Sequence, residues 1–204
     1  MVEQNKLDKE LLLRFSRGEE SAFREIIVLY KDNLYSFLRR FLNKTELIED
    51  VFQETFMQLY LSRERFDTNR ALKPWLFTIA ANKARDALRK IQRTPETYLG
   101  PIADASDVSI DDVLNSITSF KQTPYDEVSK DETAAQVRAI VFDMPDNLRE
   151  ILILAYFKQF SYKQMADILS IPIGTVKSRL HTAVVGFSKK WRSVNRGDYK
   201  GSIA

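Results

Sequence analysis

SYKQMADILSIPIGTVKSRLHTAVVGFSKK, residues 161–190, reads as two helices joined by a tight turn. Ser161 is placed to cap the first helix, its hydroxyl accepting from a free backbone N–H one turn on. Gln164, three residues later, can reach back to complete a capping box. Tyr162, Met165, Ala166, Ile168 and Leu169 supply an apolar stripe. Ile171 and Pro172 break the run, and proline near a helix start loses no hydrogen bond, so a second helix opens around it. In that helix Val176, Leu180, Ala183 and Phe187 recur at helical spacing and are expected to face a core. Thr175, Lys177, Ser178, Arg179, His181 and Thr182 fall on the other faces. Gly174 and Thr175 lie in the first turn, where free N–H groups and the helix dipole favour a phosphate. An ordinary amphipathic hairpin with a solvated basic face would share the cap and the stripe. The turn proline, first-turn glycine and basic polar face together point to a helix-turn-helix that lays its second helix in the DNA major groove.

The rest of the chain supplies helices and one change of character. Leu7, Leu11, Leu12 and Phe15 mark an opening helix that Arg17-Gly18 ends. Phe23, Ile26, Ile27, Tyr30, Leu34, Phe37, Leu38, Phe41 and Leu42 mark a longer one. Asn43, with Glu46 three residues on, is the expected cap of a third helix carrying Leu47, Ile48, Val51, Phe52, Phe56, Leu59 and Tyr60. After a polar, arginine-bearing loop from Ser62 to Lys73, Pro74 opens a fourth, with Leu76, Ile79, Ala80, Ala87, Leu88 and Ile91 inward. No segment shows strand alternation. Residues 94–123 contain Pro95, Gly100 and Pro101, the acids Glu96, Asp104, Asp107, Asp111 and Asp112, and the single base Lys121. That composition reads as an extended or disordered acidic linker. Pro124 opens a second folded part. Val137, Ile140, Val141 and Met144 form a helix that Pro145 stops, and Leu148, Ile151, Leu152, Leu154, Ala155 and Phe157 form the next. The expected class is all-α: two small helical domains, 1–93 and 124–192, a flexible linker between them, and a polar tail over 193–204.

Composition removes several chemistries. The 204 residues hold 31 Lys and Arg, 28 Asp and Glu, one His and no Cys, for a net charge of +3. Disulfides, thiolate metal sites and cysteine nucleophiles are excluded, and one histidine leaves little for zinc. The charged N-terminus lacks a signal-peptide core, and the longest apolar runs, such as 151–157, are too short to cross a bilayer. The expectation is a soluble, cytoplasmic protein without membrane insertion and without a cofactor. No base–nucleophile pair, phosphate loop or metal cluster stands out, so a helical enzyme is the poorest reading.

Two further polar faces accompany the helix-turn-helix. In IEDVFQETF, residues 48–56, Asp50, Gln53 and Glu54 fall at i, i+3 and i+4 and share one side. On the fourth helix Asn82, Arg85, Asp86, Arg89 and Lys90 make a net basic face, with Arg93 beyond. Solvated helix surfaces are the bland alternative for both. A stand-alone regulator, with a helical sensor or dimerisation domain ahead of its DNA-reading domain, would carry the same C-terminal unit.

These segments, in this order, resemble a known family. AFREIIVLYKDNLYSFLRRF (22–41), IEDVFQETFMQLY (48–60) and KPWLFTIAANKARDALRK (73–90) are similar to the amino-terminal domain of sigma factors of the sigma-70 class, in the short extracytoplasmic-function group. TPYDEVSKDE (123–132) and MPDNLREILILAYFKQFSYKQMADILSIPIGTVKSRLH (144–181) are similar to its carboxy-terminal domain. The resemblance implies a non-catalytic specificity subunit that binds bacterial core RNA polymerase and directs it to promoter DNA, with an anti-sigma protein as a further partner common in the family. It places core binding at Asp50, Gln53 and Glu54. It places −10 recognition at Asn82 and Arg85 and in the loop from Ser62 to Lys73, where Arg63, Arg65, Phe66 and Arg70 are candidates to receive a flipped base by stacking and phosphate contact. It assigns −35 recognition to Lys177, Ser178, His181 and Thr182, with Arg179 on a phosphate and Thr175 in the first turn. The family commonly has arginine where this chain has Thr182, which cannot make arginine's bidentate guanine contact. Val184, Val185 and Gly186 are expected to offer an apolar patch to a partner.

Overall fold

A computed structural model describes residues 2–65, 67, 71–92 and 132–195. The expected linker 94–123, the segment at Pro124, Phe66, Arg70 and most of the tail lie outside these described residues. Among the described residues every regular element is helical. They gather into two compact units.

The first unit holds α1 (Val2–Ser16), α2 (Glu20–Phe41), α3 (Thr45–Leu61), a single 3₁₀ turn (Arg63–Arg65) and α4 (Leu72–Gln92). Their apolar stripes meet in one core. Leu11, Leu12 and Phe15 come from α1, Ile26, Leu34, Phe37, Leu38 and Phe41 from α2, Leu59 from α3 and Leu76 and Phe77 from α4, all at most 2% exposed. Aromatic rings carry much of the packing. Phe37 meets Phe77 edge-on at 5.3 Å between centroids, and Phe23 meets Tyr60 at 5.1 Å, arrangements that add to the burial of area. Fully buried Ala80, Ala81 and Ala84 keep one side of α4 slim, and α4 packs against α3 and α2. Two polar side chains enter this core: buried Asp8 of α1 accepts from the Tyr30 hydroxyl of α2 at 2.6 Å, and the buried Thr55 hydroxyl of α3 donates to Val51 O at 2.6 Å. The half-buried Lys73 ammonium is pushed below the usual lysine range by burial, opposed by the Asp8 charge.

Chain ends of these helices follow from local chemistry. Gly18, at φ +87°, closes α1: its N–H donates to Phe15 O at 2.9 Å, and the Glu19 N–H donates to Arg14 O at 3.2 Å. This is a Schellman ending, whose left-handed residue costs glycine nothing. The expected Asn43 cap does not form. Lys44 is the extended residue before α3, with no side-chain cap bond, so Asn43 sits one residue too early. The fourth helix begins at Leu72 rather than Pro74. Pro74 is then its third residue, still inside the turn whose N–H groups lack intrahelical partners.

Residues 132–195 hold α5 (Glu132–Phe142), α6 (Asp146–Leu152), a π turn (Ile153–Phe157), α7 (Tyr162–Leu169) and α8 (Ile173–Asn195). α8 packs against α6 and α5. Val137, Ile140, Val141, Ile151, Leu152, Ile153, Leu154, Met165, Ile168, Val176, Ala183 and Phe187 are buried. Buried Arg149 joins α6 to the end of α5. It donates to Phe142 O at 2.9 Å, stands over the Phe142 ring and pairs with Asp146. Burial pushes its guanidinium pKa down, against the Asp146 and Glu150 charges. Lys190 of α8 pairs with Asp143 beyond the end of α5. Gly186 lies inside α8 with space beside it: a Cβ there would meet only the Met144 Cε, at 3.9 Å.

Three sequence expectations are corrected here. Val184 is 3% exposed and belongs to the core, so it cannot present a patch. Tyr162 and Ile91, read as inward, are 47% and 40% exposed. Each sits near an end of its helix, where periodicity continues but the described residues leave it exposed.

Candidate polymerase and nucleic-acid surfaces

The helix-turn-helix forms as its sequence dictates. The Ser161 N–H donates to Gln164 Oε1 at 2.9 Å, and the Gln164 N–H donates to Ser161 Oγ at 3.3 Å, which is the reciprocal capping box. α7 ends in a second Schellman turn. The Ile171 N–H donates to Ala166 O at 3.1 Å, and Ser170 takes the left-handed position at φ +53°. Pro172 precedes α8, and its carbonyl accepts the Val176 N–H at 3.0 Å.

On α8, Lys177, Ser178, His181 and Thr182 are exposed, while Thr175 and Arg179 are half-buried. The four exposed residues fall at i, i+1, i+4 and i+5 on the side away from Val176, Leu180, Ala183 and Phe187. Ser178 Oγ donates to Thr175 O at 3.1 Å, and Thr182 Oγ1 donates to Ser178 O at 3.0 Å. With their hydrogens held by the helix, both hydroxyl oxygens turn lone pairs outward, suited to accept from a base amino group.

In the first unit Asp50, Gln53 and Glu54 are all exposed on α3. Asp50, Glu54, Met57 and Leu61 fall at i, i+4, i+7 and i+11, a straight stripe that is acidic at one end and apolar at the other. Met57 and Leu61 are 61% and 66% exposed. Sequence reading left both off the core stripe and assigned them no surface role, because a lone apolar residue off a stripe carries no signal of what it faces. Glu54 also reaches across to α4, where its Oε2 lies 3.1 Å from Lys83 Nζ. Lys83 was not singled out from sequence, since pairing it with Glu54 requires the packing register of α3 on α4.

On α4 the structure brings Asn82 and Arg85 together: Arg85 Nη2 donates to Asn82 Oδ1 at 2.5 Å, and its Nε donates to Ala81 O at 3.2 Å. Arg89 pairs with Asp86 at 3.3 Å. Arg63 is half-buried in the 3₁₀ turn, with its guanidinium 4.7 Å from the Tyr60 ring centroid. The backbone of Arg65 closes that turn, while Phe66 and Arg70 lie outside the described residues. Among the described residues no helix is long and apolar enough to cross a membrane.

Comparison with known proteins bears on both units. The family model described as Sigma-70 region 2 matches residues 26–94, and that described as Sigma-70, region 4 matches residues 135–185. The ECF RNA polymerase sigma factor SigW of Bacillus subtilis is 30% identical over 186 residues, covering 91% of this chain and 97% of that protein. The RNA polymerase sigma-H factor of Pseudomonas aeruginosa is 31% identical over 176 residues, covering 86% of this chain and 89% of its own length. Among solved structures, the sigma factor RpoE from Bartonella quintana, determined with the anti-sigma factor NepR, shares the fold with a TM-score of 0.62 at 24% identity, over 83% of this chain and 96% of that one.

Proposed function

The chain belongs to the extracytoplasmic-function group of sigma-70 factors, subunits that direct RNA polymerase in promoter-specific transcription initiation, and from that premise we propose how its surfaces divide the task. The first domain, residues 1–93, binds core polymerase through Asp50, Gln53 and Glu54, and the contact continues onto Met57 and Leu61. The acidic end suits a basic partner surface, and the apolar end gains by leaving water. Asn82 and Arg85 face the −10 element, with Arg63, Arg65, Phe66 and Arg70 in the preceding loop. The guanidinium–ring stack of Arg63 on Tyr60 is a platform that an unpaired base could extend.

Residues 94–123 tether this domain to the second, 124–192, which reads the −35 element as duplex. Lys177 reaches a base edge or phosphate, Ser178 and Thr182 accept from base amino groups, His181 completes the face, and Thr175 and Arg179 lie nearer the backbone. The protein acts in the cytoplasm as a non-catalytic subunit, and an anti-sigma protein is its regulatory partner.

The observation that carries this reading is the exposed polar side of α8, backed by a buried stripe and preceded by a complete capping box. Run-off transcription with purified core polymerase on the host's genomic DNA tests it. Discrete start sites are expected only when the chain is added. Identical transcripts with and without it would reject the reading.

A further inference from the structure

Three cations of α4, Lys83, Arg85 and Arg89, are held inside the molecule in two different ways. Arg85 is bonded to Asn82 and Arg89 is paired with Asp86, both partners on α4 itself. Lys83 pairs instead with Glu54 of α3. That carboxylate is one of those assigned above to core polymerase. The same ion pair therefore touches both the polymerase-facing stripe and the promoter-facing helix.

We infer that Lys83 is a shared cation: Glu54 holds it in the free chain, and promoter phosphate takes it when core polymerase engages the Glu54 carboxylate. The inference rests on the assignment of Glu54 to core and of the α4 face to DNA. Placement supports the exchange. Lys83 lies on the α3-facing edge of the α4 polar face, with Asp86 at i+3 and Lys90 at i+7 on the same edge. Its side chain is 33% exposed and that of Glu54 is 54% exposed. An ion pair this open to water is weakly held, so a competing basic surface displaces the ammonium at small cost. Once released, the ammonium is a point charge on a flexible stem, suited to a phosphate oxygen rather than to a base edge. Coupling of this kind is reciprocal: core binding strengthens the DNA contact, and DNA strengthens core binding by the same factor.

The test uses the full chain, core polymerase and a promoter fragment mapped by run-off transcription. Affinity of the holoenzyme for the fragment is measured against salt concentration for the wild type, Lys83→Gln, Lys83→Arg and Arg85→Gln. Each lost phosphate contact reduces the log–log slope by about 0.7–0.9. Lys83→Gln is expected to show that reduction, and Lys83→Arg is expected to keep the wild-type slope. In a second arm without core, Glu54→Gln is expected to bind the same fragment about two- to fivefold more tightly than wild type, the scale of one exposed ion pair. Adding Lys83→Gln is expected to remove that gain. An unchanged Lys83→Gln slope beside a reduced Arg85→Gln slope overturns the inference and leaves the α4 assignment standing. Unchanged slopes in both overturn the two together. A Glu54→Gln chain that gains nothing in the free state overturns the exchange, and one whose core affinity is also unchanged overturns the core assignment beneath it.

Discussion

Ser170 occupies the backbone position that Gly18 fills at the end of α1. Both close a helix from the left-handed region, at φ +53° and +87°, but only glycine lacks the Cβ that makes this region costly. Ser170→Gly is therefore expected to stabilise the protein by about 0.5–1 kcal/mol, after allowing for glycine's looser unfolded chain. A higher urea midpoint with an unchanged slope would register it. A second prediction concerns Glu19. Arg14 donates to it at 2.5 Å and also holds Glu25. The Arg14 hydrogen bond, aided by that of Ser21, lowers the Glu19 carboxyl from 4.5 to about 2. The unfolded carboxyl takes up its proton near 4.5, whereas the folded one stays ionised to about 2. Its stabilisation is therefore complete above that upper value and fades as pH falls through the lower one. NMR titration is expected to find Glu19 near 2 and to see it rise towards 4.5 in Arg14→Gln. Residue-level features with a strong local code, such as Gly18 and the Ser161–Gln164 box, were legible in the sequence. The Ser170 turn was not, because serine carries no left-handed signature, and the Asn43 cap failed by a single position.

At the scale of helices, periodicity located the described α-helices but not the 3₁₀ turn at Arg63–Arg65 or the π turn at Ile153–Phe157, and it erred where packing rather than pattern sets the boundary. Val184 follows Ala183 on α8 and widens the buried side beyond the four-residue stripe, because α8 is covered by both α5 and α6. On α3, Met57 and Leu61 are core-like by type, lie off the periodic stripe and stand in solvent. The polar residues of that helix were legible, while their continuation into an apolar half needed the structure. Asp50→Ala combined with Glu54→Ala is expected to weaken core binding by about tenfold or more with little change in melting temperature, because both side chains are exposed. Fluorescence titration of labelled core, set beside thermal melts, checks both parts.

For the molecule as a whole, the all-helical class and the order of its motifs were readable from the sequence alone, because the helix-turn-helix and the α3 and α4 faces each have their own spacing. What sequence could not supply was the pairing of residues distant along the chain, of which Glu54 with Lys83 is the example. Separate surfaces predict separable defects. Lys177→Ala is expected to lower initiation from a promoter dependent on its −35 element by about five- to tenfold, the scale of one lost base or phosphate contact, while core affinity stays at the wild-type value. Run-off yield and core titration on the same preparation measure the two. Gly186 carries one more consequence. The space beside it admits a methyl group, and alanine in a helix interior is worth about 1 kcal/mol over glycine, so Gly186→Ala is expected to raise the melting temperature. The same variant then asks whether a pliant reading rod serves gene selection: full transcription from the hardened protein would make the soft spot an accident of history, and reduced transcription would make it a working joint.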